Sequence, residues 1–412
     1  MNDVGEIPVN PENHWRLQSP GIEGWKRSPR PGAQRKYFMI SADTHITPPP
    51  SVIAARIGPK FRDRLPRMEK GADGISALVV EGWAPLRFHD SKLEAEDDYR
   101  AKMGSSKAAE DPGSMKTRIA DLDRDGIEGE VVFPNGAAVT LYWTCDPLFA
   151  QAQSRAYNDW AVEVSAPYRS RIHIAPCISV LDVDAAVAEI ERVAKMGFDL
   201  LTFPISPYPD VANSGPLILY NDRRFERLWA AAQDVDLTMT FHVGTRGNPQ
   251  LARGPGGAVI NRQKSHDTMT DPIVTLCASG ILDRFPKLRF VAVEGGIGWI
   301  PCLLDLMDET YLKHHMWVRP KLKHGLPSEY FRAHGGATYQ EDRAGVLLAE
   351  PYNLTENFLW ANDYPHHEGT FPHSAAAIER EMGGLKEESR AKLLGLNAAR
   401  LFKFEVPQHF RD

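Results

Sequence analysis

The chain has 412 residues, of which 42% are hydrophobic and 25% are charged, a balance that is typical of globular proteins and excludes a disordered or fibrous chain. Its formal net charge of -6 gives no general attraction to nucleic acid, and no apolar run approaches the roughly 18 residues of a membrane span. We therefore expect neither nucleic acid nor membrane as a partner. The four cysteines lack the paired spacing of a structural zinc site, which predicts reduced thiols in a cytoplasmic protein.

Residues 1–35 carry five prolines and scattered charges, which predicts an extended N-terminal arm. Residues 36–405 are expected to form one α/β domain, followed by a C-terminal tail at 406–412. Short apolar runs recur through this domain, most of them followed by a segment of helical periodicity, a pattern that predicts parallel strands joined by helices. The runs cover residues 36–45, 128–135, 171–180, 198–206, 236–244, 288–296, 334–340 and 357–366. Eight strands are the number that a closed (β/α)8 TIM barrel requires.

The alternation fails between about residues 48 and 118, where the composition is charged and only weakly periodic. This stretch is too long for an ordinary barrel loop, and we interpret it as an insertion after the first strand. Such an insertion would lie at the C-terminal rim of the barrel, so that a lid or subunit contact is one hypothesis. A surface excursion without a catalytic role is the alternative.

Polar residues at the strand ends form the candidate site. Asp43 and His45 lie at the end of the first run and share one face, because residues two apart along a strand point the same way. His242, Glu294 and Asp363 lie at or just past the apolar part of later runs, and the C-terminal ends of barrel strands meet at one rim. Burying several carboxylates together is costly without a cation. The pattern therefore predicts a divalent metal site with positions left open for water and substrate.

Four motifs carry a family resemblance. They are "ADTH" on the first strand, "TFHVG" on the fifth, "FPKLRFVAVEGGIGWIP" on the sixth and "ANDYPHHEGTFP" on the eighth. Their order and spacing resemble the amidohydrolase superfamily, and within it the amidohydrolase-related group that contains aminocarboxymuconate-semialdehyde decarboxylase and γ-resorcylate decarboxylase. The stretch "RIADLDRDGIEGEVVFPN" and the closing "LLGLNAARLFKF" resemble the same group.

The resemblance implies a zinc or manganese ion held by Asp43, His45 and His242 together with Asp363. It also implies an enzyme that acts on a small aromatic or cyclic carboxylate by hydrolysis or by carbon–carbon cleavage. Asp363 and Glu294 are then the expected catalytic residues, with Glu294 moving the proton. The related decarboxylases usually have a histidine where this chain has Glu294, a departure that leaves the type of reaction open.

A second hypothesis uses the extra histidines of the eighth-strand loop. Glu294, His366 and His367 are additional candidate ligands for a second ion, as in the superfamily members that resemble non-haem dinuclear-iron oxygenases such as 2-aminoisobutyrate hydroxylase. Hydrogen bonding of these histidines to the primary ligands is the alternative. A third hypothesis is a non-catalytic subunit of a hetero-oligomer with a paralogue.

Substrate contacts and assembly are predicted more coarsely. Arg246 closely follows His242 at the same strand end, and an arginine pairs well with a carboxylate. Trp299 is the second candidate for contact with a small carboxylate substrate. The family resemblance also implies a homo-oligomer.

Overall fold

The structure is a computed structural model that describes residues 11–17, 37–88, 115–208, 218–247, 252 and 254–410. In the described chain, each of the eight predicted runs forms a strand. A further three strands, β2, β3 and β4, lie in the insertion, so the runs become β1 and β5 to β11 in chain order. Their bounds are Ile40–Ile46 (β1), Gly129–Pro134 (β5), Ile172–Ile174 (β6), Leu200–Phe203 (β7), Thr238–His242 (β8), Phe290–Val293 (β9), Gly335–Tyr339 (β10) and Phe358–Trp360 (β11).

These eight strands are parallel and follow one another around a ring. One sheet has the order β1-β5-β6, and the other runs from β7 through β8, β9 and β10 to β11. A bridge between Cys177 and Thr202 joins the two sheets on one side. On the other side the His45 amide donates to the Tyr364 carbonyl at 2.7 Å, just past β11. The predicted barrel is confirmed, because every strand neighbours the next one in sequence and the last returns to the first.

Helices follow the strands on the outside of the barrel. Their bounds are Pro50–Arg56 (α1), Pro59–Arg62 (α2), Met115–Asp125 (α3), Pro147–Ser165 (α4), Val183–Met196 (α5), Glu226–Asp234 (α6), Gly257–Asp267 (α7), Thr270–Ala278 (α8), Ile281–Arg284 (α9), Ile300–Lys313 (α10), Pro327–His334 (α11), Arg343–Ala349 (α12), Ser374–Met382 (α13), Glu387–Ala391 (α14) and Asn397–Phe402 (α15). A π-turn at Lys392–Leu396 joins the last two. Short 3-10 helices occupy Pro11–Leu17, Gly136–Tyr142, Ala166–Tyr168, Arg223–Phe225 and Gln408–Phe410. Throughout the described chain, no helix has the length and apolar character needed to cross a membrane.

Two apolar layers define the inside and the outside of the barrel wall. Along β9, Val291 and Val293 pack in the interior cluster, whereas Phe290 and Ala292 pack against the outer helices. The interior cluster also contains Phe402 and neighbouring aromatic residues of the C-terminal region. Inward and outward side chains alternate because the period of a strand is two residues. The C-terminal rim of the barrel, opposite the end filled by these aromatic residues, is left for polar side chains.

The region interpreted as an insertion contains regular structure that the sequence did not predict. Three short antiparallel strands, β2 (Arg67–Lys70), β3 (Ser76–Val79) and β4 (Leu86–Phe88), follow α1 and α2. The residues of β2 are exposed, and Met68 is the one apolar residue among them, so no apolar alternation marks them as a strand. Residues 89–114 of the expected insertion lie outside the described residues. Within the expected extended arm, the described part is the 3-10 helix Pro11–Leu17.

A buried carboxyl group joins β1, β11 and α13 just below the rim. Asp125 accepts hydrogen bonds from the Ser374 amide at 3.0 Å and from Asn362 Nδ2 at 3.2 Å. The Asn362 Oδ1 atom in turn accepts the Ser41 hydroxyl at 2.8 Å. Burial raises the pKa of Asp125 to about 7 although these donors favour the ionised form. The network fixes the backbone immediately before Asp363.

Replacement of Asp125 by asparagine tests this carboxyl group. Its folded-state pKa of about 7 lies above the ordinary value of 3.8, so its contribution to stability is full below pH 4 and is lost as the pH rises through 7. The free energy of unfolding of the wild type should therefore fall between pH 5 and pH 8, relative to Asp125→Asn, by roughly 2 to 3 kcal/mol. Urea unfolding of both proteins at the two pH values measures the difference. Parallel pH profiles would contradict the prediction.

Candidate metal centre

A β-bulge in β1 turns the first two candidate ligands toward the barrel axis. Ser41 pairs with Glu130 and Thr44 with Val132, so that Ala42 and Asp43 together lie opposite one residue of β5. Ile40 and Ala42 already point inward, and a regular strand would therefore have pointed Asp43 and His45 outward. The one extra residue reverses the alternation. As a result, the fully buried Asp43 and the 2% exposed His45 face the interior at the rim.

His242 ends β8 with its ring held in one orientation. Its Nδ1 atom lies 2.7 Å from the Val243 carbonyl, to which it donates. The Nε2 atom then faces Asp43 Oδ1 at 3.3 Å and Glu294 Oε2 at 3.4 Å. A metal-binding histidine commonly donates its second ring nitrogen to a carbonyl, because this bond fixes the ring and directs the other nitrogen at the metal.

Glu294 and Asp363 leave their strands in the left-handed backbone region, with φ of 66° and 54°. This region is unfavourable for residues with a Cβ atom, and such strain of about 1–3 kcal/mol is found most often at functional sites. The conformation turns both carboxylates toward the histidines. Asp363 Oδ1 lies 3.0 Å from His45 Nε2, and Glu294 Oε2 lies 3.9 Å from the same nitrogen.

Several donor atoms of this cluster are buried without a hydrogen-bond partner. They are Asp43 Oδ2, Asp363 Oδ2 and His45 Nδ1. An unpaired buried carboxylate oxygen carries a desolvation penalty that a divalent cation would offset. One ligand atom from each of Asp43, His45, His242 and Glu294 lies within 4.8 Å of the others. The chemistry and the spacing of the donors therefore fit a divalent metal ion, as predicted.

The charges of the cluster shift its protonation equilibria in opposite directions. Burial raises the pKa of Asp43, against the hydrogen bond from His242. Burial also acts to raise the pKa of Asp363, but His366 and His45 lower it more, so that its pKa lies well below the usual range. The pKa of His242 is raised to about 9, because Asp43 and Glu294 favour the imidazolium by more than burial opposes it.

A second group of donors overlaps the first. Glu294, Asp363, His366 and Glu368 also offer ligand atoms within 4.8 Å of one another. His366 Nδ1 lies 2.9 Å from Asp363 Oδ1, and its ring stacks on His45 with centroids 4.0 Å apart. Glu368 is exposed at the edge of this group. His367, the other candidate of the loop, belongs to neither group among the described residues and pairs instead with Glu368 at 3.1 Å.

Sequence reasoning missed two residues of the site. Arg262 on α7 donates to Glu294 Oε1 at 2.7 Å, which leaves Oε2 of the same carboxylate facing the histidines. Asn135, just past β5, places its Nδ2 atom 3.1 Å from His366 Nε2. The position of Asn135 at a strand end was a usable signal. Nothing in the weakly amphipathic α7 distinguishes Arg262 from its neighbours, because only the packing of that helix turns it toward β9.

The pKa of Glu294 reflects this environment. Burial and the nearby Asp363 raise it, but His242, His45 and Arg262 outweigh them and lower it overall. Glu294 is therefore a carboxylate near neutral pH, with one oxygen fixed by an arginine and the other directed at the cluster.

The predicted substrate-binding residues have protein partners. Arg246 pairs with Asp271 at 2.7 Å, and the Trp299 indole donates to the Gly295 carbonyl at 2.7 Å beside the site. Neither is among the grouped metal donors. A buried arginine elsewhere supports the site from behind: Arg118 donates to the His45 carbonyl at 2.9 Å and pairs with Glu130.

Comparisons with known proteins agree with this architecture. An amidohydrolase from Mycobacterium avium subsp. paratuberculosis is 22% identical over 89% of this chain and 99% of its own, with a TM-score of 0.69. A 5-carboxyvanillate decarboxylase from Sphingomonas paucimobilis is also 22% identical, over 90% of this chain and 100% of its own, with a TM-score of 0.61.

A dihydroxybenzoic acid decarboxylase from Polaromonas sp., solved with manganese and the inhibitor 2-nitroresorcinol, is 18% identical over 91% of this chain and 99% of its own, with a TM-score of 0.59. No curated protein matches the chain significantly. At these identities the structures show a shared fold. The sequence model described as Amidohydrolase matches residues 42–404, and because that range covers nearly all of the barrel together with its clustered donors, this chain belongs to the amidohydrolase family.

Proposed function

We propose that the protein is a metal-dependent decarboxylase of a small aromatic carboxylate. The observation that supports this proposal is the buried group of Asp43, His45, His242 and Glu294, joined by Asp363, at the C-terminal rim of an amidohydrolase barrel. Proteins of similar solved structure are decarboxylases of 5-carboxyvanillate and of dihydroxybenzoates, and three of these structures hold manganese. Hydrolysis, the other reaction expected from the sequence, has no such specific support.

In this proposal Asp43, His45, His242 and Asp363 hold the ion. Zinc and manganese both suit this mixture of imidazole and carboxylate ligands. When bound, the cation supplies a positive charge that orients the substrate oxygens and stabilises negative charge that develops during cleavage. The residues themselves set its position, since the β1 bulge, the His242–Val243 hydrogen bond and the left-handed Asp363 fix the donors before the ion binds.

Glu294 is the group proposed to move the proton. In decarboxylation the bond between the ring carbon and the carboxylate breaks, carbon dioxide leaves, and the same ring carbon gains one proton. The ionised Glu294 can take up a proton from water or a substrate hydroxyl and return it to that carbon. Arg262 holds one oxygen of Glu294 and so directs the other. Asp363, the second predicted catalytic residue, would act through the position of the ion.

A small carboxylate is the proposed partner, recognised through its charge by Arg246 and through its ring by Trp299. We also propose a cytoplasmic homo-oligomer.

Replacement of His242 by alanine tests the metal site. Loss of this ligand should lower the bound manganese or zinc to a small fraction of the wild-type amount and reduce decarboxylation of 5-carboxyvanillate or 2,6-dihydroxybenzoate by more than about 100-fold. Metal content is measured by elemental analysis and turnover by carbon dioxide release. The matched control is His173→Ala. His173 is also buried, but its two ring nitrogens contact the Phe402 and Arg169 carbonyls, away from the cluster. Full metal content in folded His242→Ala would contradict the assignment.

Metal binding should release protons. The pKa of His242 is about 9, so its ring is protonated at pH 7.5 and must lose that proton before it can act as a ligand. Calorimetric titration of manganese into metal-free protein, in buffers of different ionisation enthalpy, should show about one or more protons released at pH 7.5, and fewer above pH 9. The affinity should strengthen as the pH rises toward 9. Binding without any proton release would be inconsistent with His242 as a ligand.

The second donor group favours one other candidate function. Glu294, Asp363, His366 and Glu368 offer ligand atoms within 4.8 Å of one another, which supports a second ion of the kind that a dinuclear-iron oxygenase of small carboxylates would require. The two groups share the Glu294 carboxylate, and a shared carboxylate would offset part of the mutual repulsion of two neighbouring metal ions.

Metal stoichiometry decides between these candidates. Protein purified without added metal should contain one manganese or zinc per chain and release carbon dioxide without oxygen if it is a decarboxylase. Two irons per chain together with substrate-dependent oxygen consumption would instead establish the oxygenase. In that case Glu368→Gln should lose one of the two ions and keep the other, whereas for the decarboxylase the same substitution should leave the single ion in place.

A further inference from the structure

The N-terminal segment Pro11–Leu17 lies on the C-terminal rim of the barrel. The Trp15 ring meets the His373 ring edge-on, with centroids 6.0 Å apart, and the Arg380 guanidinium lies 4.5 Å from the Trp15 ring centroid. His373 and Arg380 belong to the start and the body of α13, directly after the loop that carries His366. The segment therefore covers residues that lie beside the metal-binding cluster. In sequence the segment precedes β1, whose C-terminal end lies at the same rim.

Arg16 binds a row of backbone carbonyls in that loop. Its Nη1 atom donates to the Gly369 carbonyl at 2.9 Å and to the His367 carbonyl at 3.5 Å, and its Nη2 atom donates to the Glu368 carbonyl at 3.5 Å. No backbone amide of the described residues donates to these three carbonyls. A guanidinium is suited to this role because its donors are fixed in one plane.

A carboxylate fixes the arginine from the neighbouring strand end. Arg16 Nη2 lies 3.3 Å from Glu341 Oε2, and the two side chains are 8% and 24% exposed. Glu341 follows β10 and also pairs with Arg380. Because Glu341 belongs to the barrel rim and not to the loop, Arg16 connects the loop to the rigid part of the fold.

The loop that Arg16 holds is closely coupled to the site. His366 reaches Asp363 and Asn135 from it, and Glu368 lies 3.7 Å from Arg262, the partner of Glu294. The loop backbone also packs against the strand end, since a Cβ atom added at Gly369 would lie 2.2 Å from the Asn362 carbonyl oxygen. A displaced loop would therefore move His366 and Glu368 away from the cluster.

We propose that the segment Pro11–Leu17 is a strap that positions the loop at residues 366–369 over the metal-binding cluster, with Arg16 as its positioning residue. Arg16 acts through the loop carbonyls and touches none of the donor side chains of the cluster. The effect on catalysis rests on the proposed metal-dependent function, whereas the effect on the loop itself does not.

Hydrogen exchange of the full-length protein tests the strap directly. In Arg16→Ala, exchange of the amides at residues 366–370 should be faster than in the wild type by roughly tenfold or more, because hydrogen bonds from a charged donor to three carbonyls are lost. Added guanidinium ion at millimolar concentration should slow the exchange again. Arg16→Lys, which retains the charge without the fork, should lie between the two.

Arg390→Ala is the matched control. Arg390 is 7% exposed, as Arg16 is, and it pairs with Glu379 of α13 and with Glu387 of its own helix, α14. Its loss should leave exchange at 366–370 unchanged and insensitive to guanidinium. Unchanged loop exchange in folded Arg16→Ala would overturn the proposal, as would faster exchange that guanidinium does not reverse and that Arg390→Ala reproduces.

Metal titration separates this proposal from the proposed function. Manganese affinity of Arg16→Ala should fall by about 10- to 100-fold, the range found when residues that support metal ligands are changed, and guanidinium should restore it. If the loop responds as expected while the wild type decarboxylates no aromatic acid, the strap is established and the proposed function is wrong. If hydrogen exchange of the loop is unchanged in Arg16→Ala while the wild type decarboxylates an aromatic acid, the proposed function stands and the strap is wrong.

Discussion

The structure depends on the cost of gathering carboxylates and imidazoles in one dry place. Asp43 and Asp363 are fully buried, and Glu294 is only 7% exposed. Like charges this close destabilise one another, and desolvation adds to the penalty. The surrounding protein offsets part of it with cationic histidines and with Arg262. The rest is what a bound cation would compensate, which is why this cluster indicates metal chemistry more strongly than any single ligand does.

The barrel supplies the rigidity that such a cluster requires. The donors stand at strand ends. β8 and β9 are hydrogen-bonded to neighbouring strands on both sides, and β1 is joined to the residues after β11 by the bond from the His45 amide to the Tyr364 carbonyl. Below the rim, Asp125 joins Asn362 and Ser374, and Arg118 holds the His45 carbonyl from the other side. These contacts fix the backbone where the first strand of the barrel, β1, meets the last, β11. Asp43, His45 and Asp363 therefore keep their relative positions.

The loop after β11 brings further donors to the site from outside the strands. His366 and Glu368 belong to a loop whose carbonyls are held by a segment from the other end of the chain. The same two side chains distinguish a one-ion site from a two-ion site.

The sequence by itself determined the barrel and most of its donors. Apolar runs of strand length recur with helix-length segments between them, and each candidate ligand lies at the end of such a run. Asp43, His45, His242 and Asp363 could therefore be assigned to one rim. The match to the amidohydrolase family confirms that fold. These features are local, because strand period and strand ends can be recognised from neighbouring residues alone.

Only the tertiary structure decided which way those side chains point and what holds them. The β1 bulge that turns Asp43 inward is a matter of pairing with β5, and the left-handed backbone of Glu294 follows from its packing. Arg262 and Arg16 reach the site from segments distant in sequence, and His367, adjacent to His366, belongs to neither group of donors. Contacts of this kind depend on the relative placement of whole elements, which local periodicity does not encode.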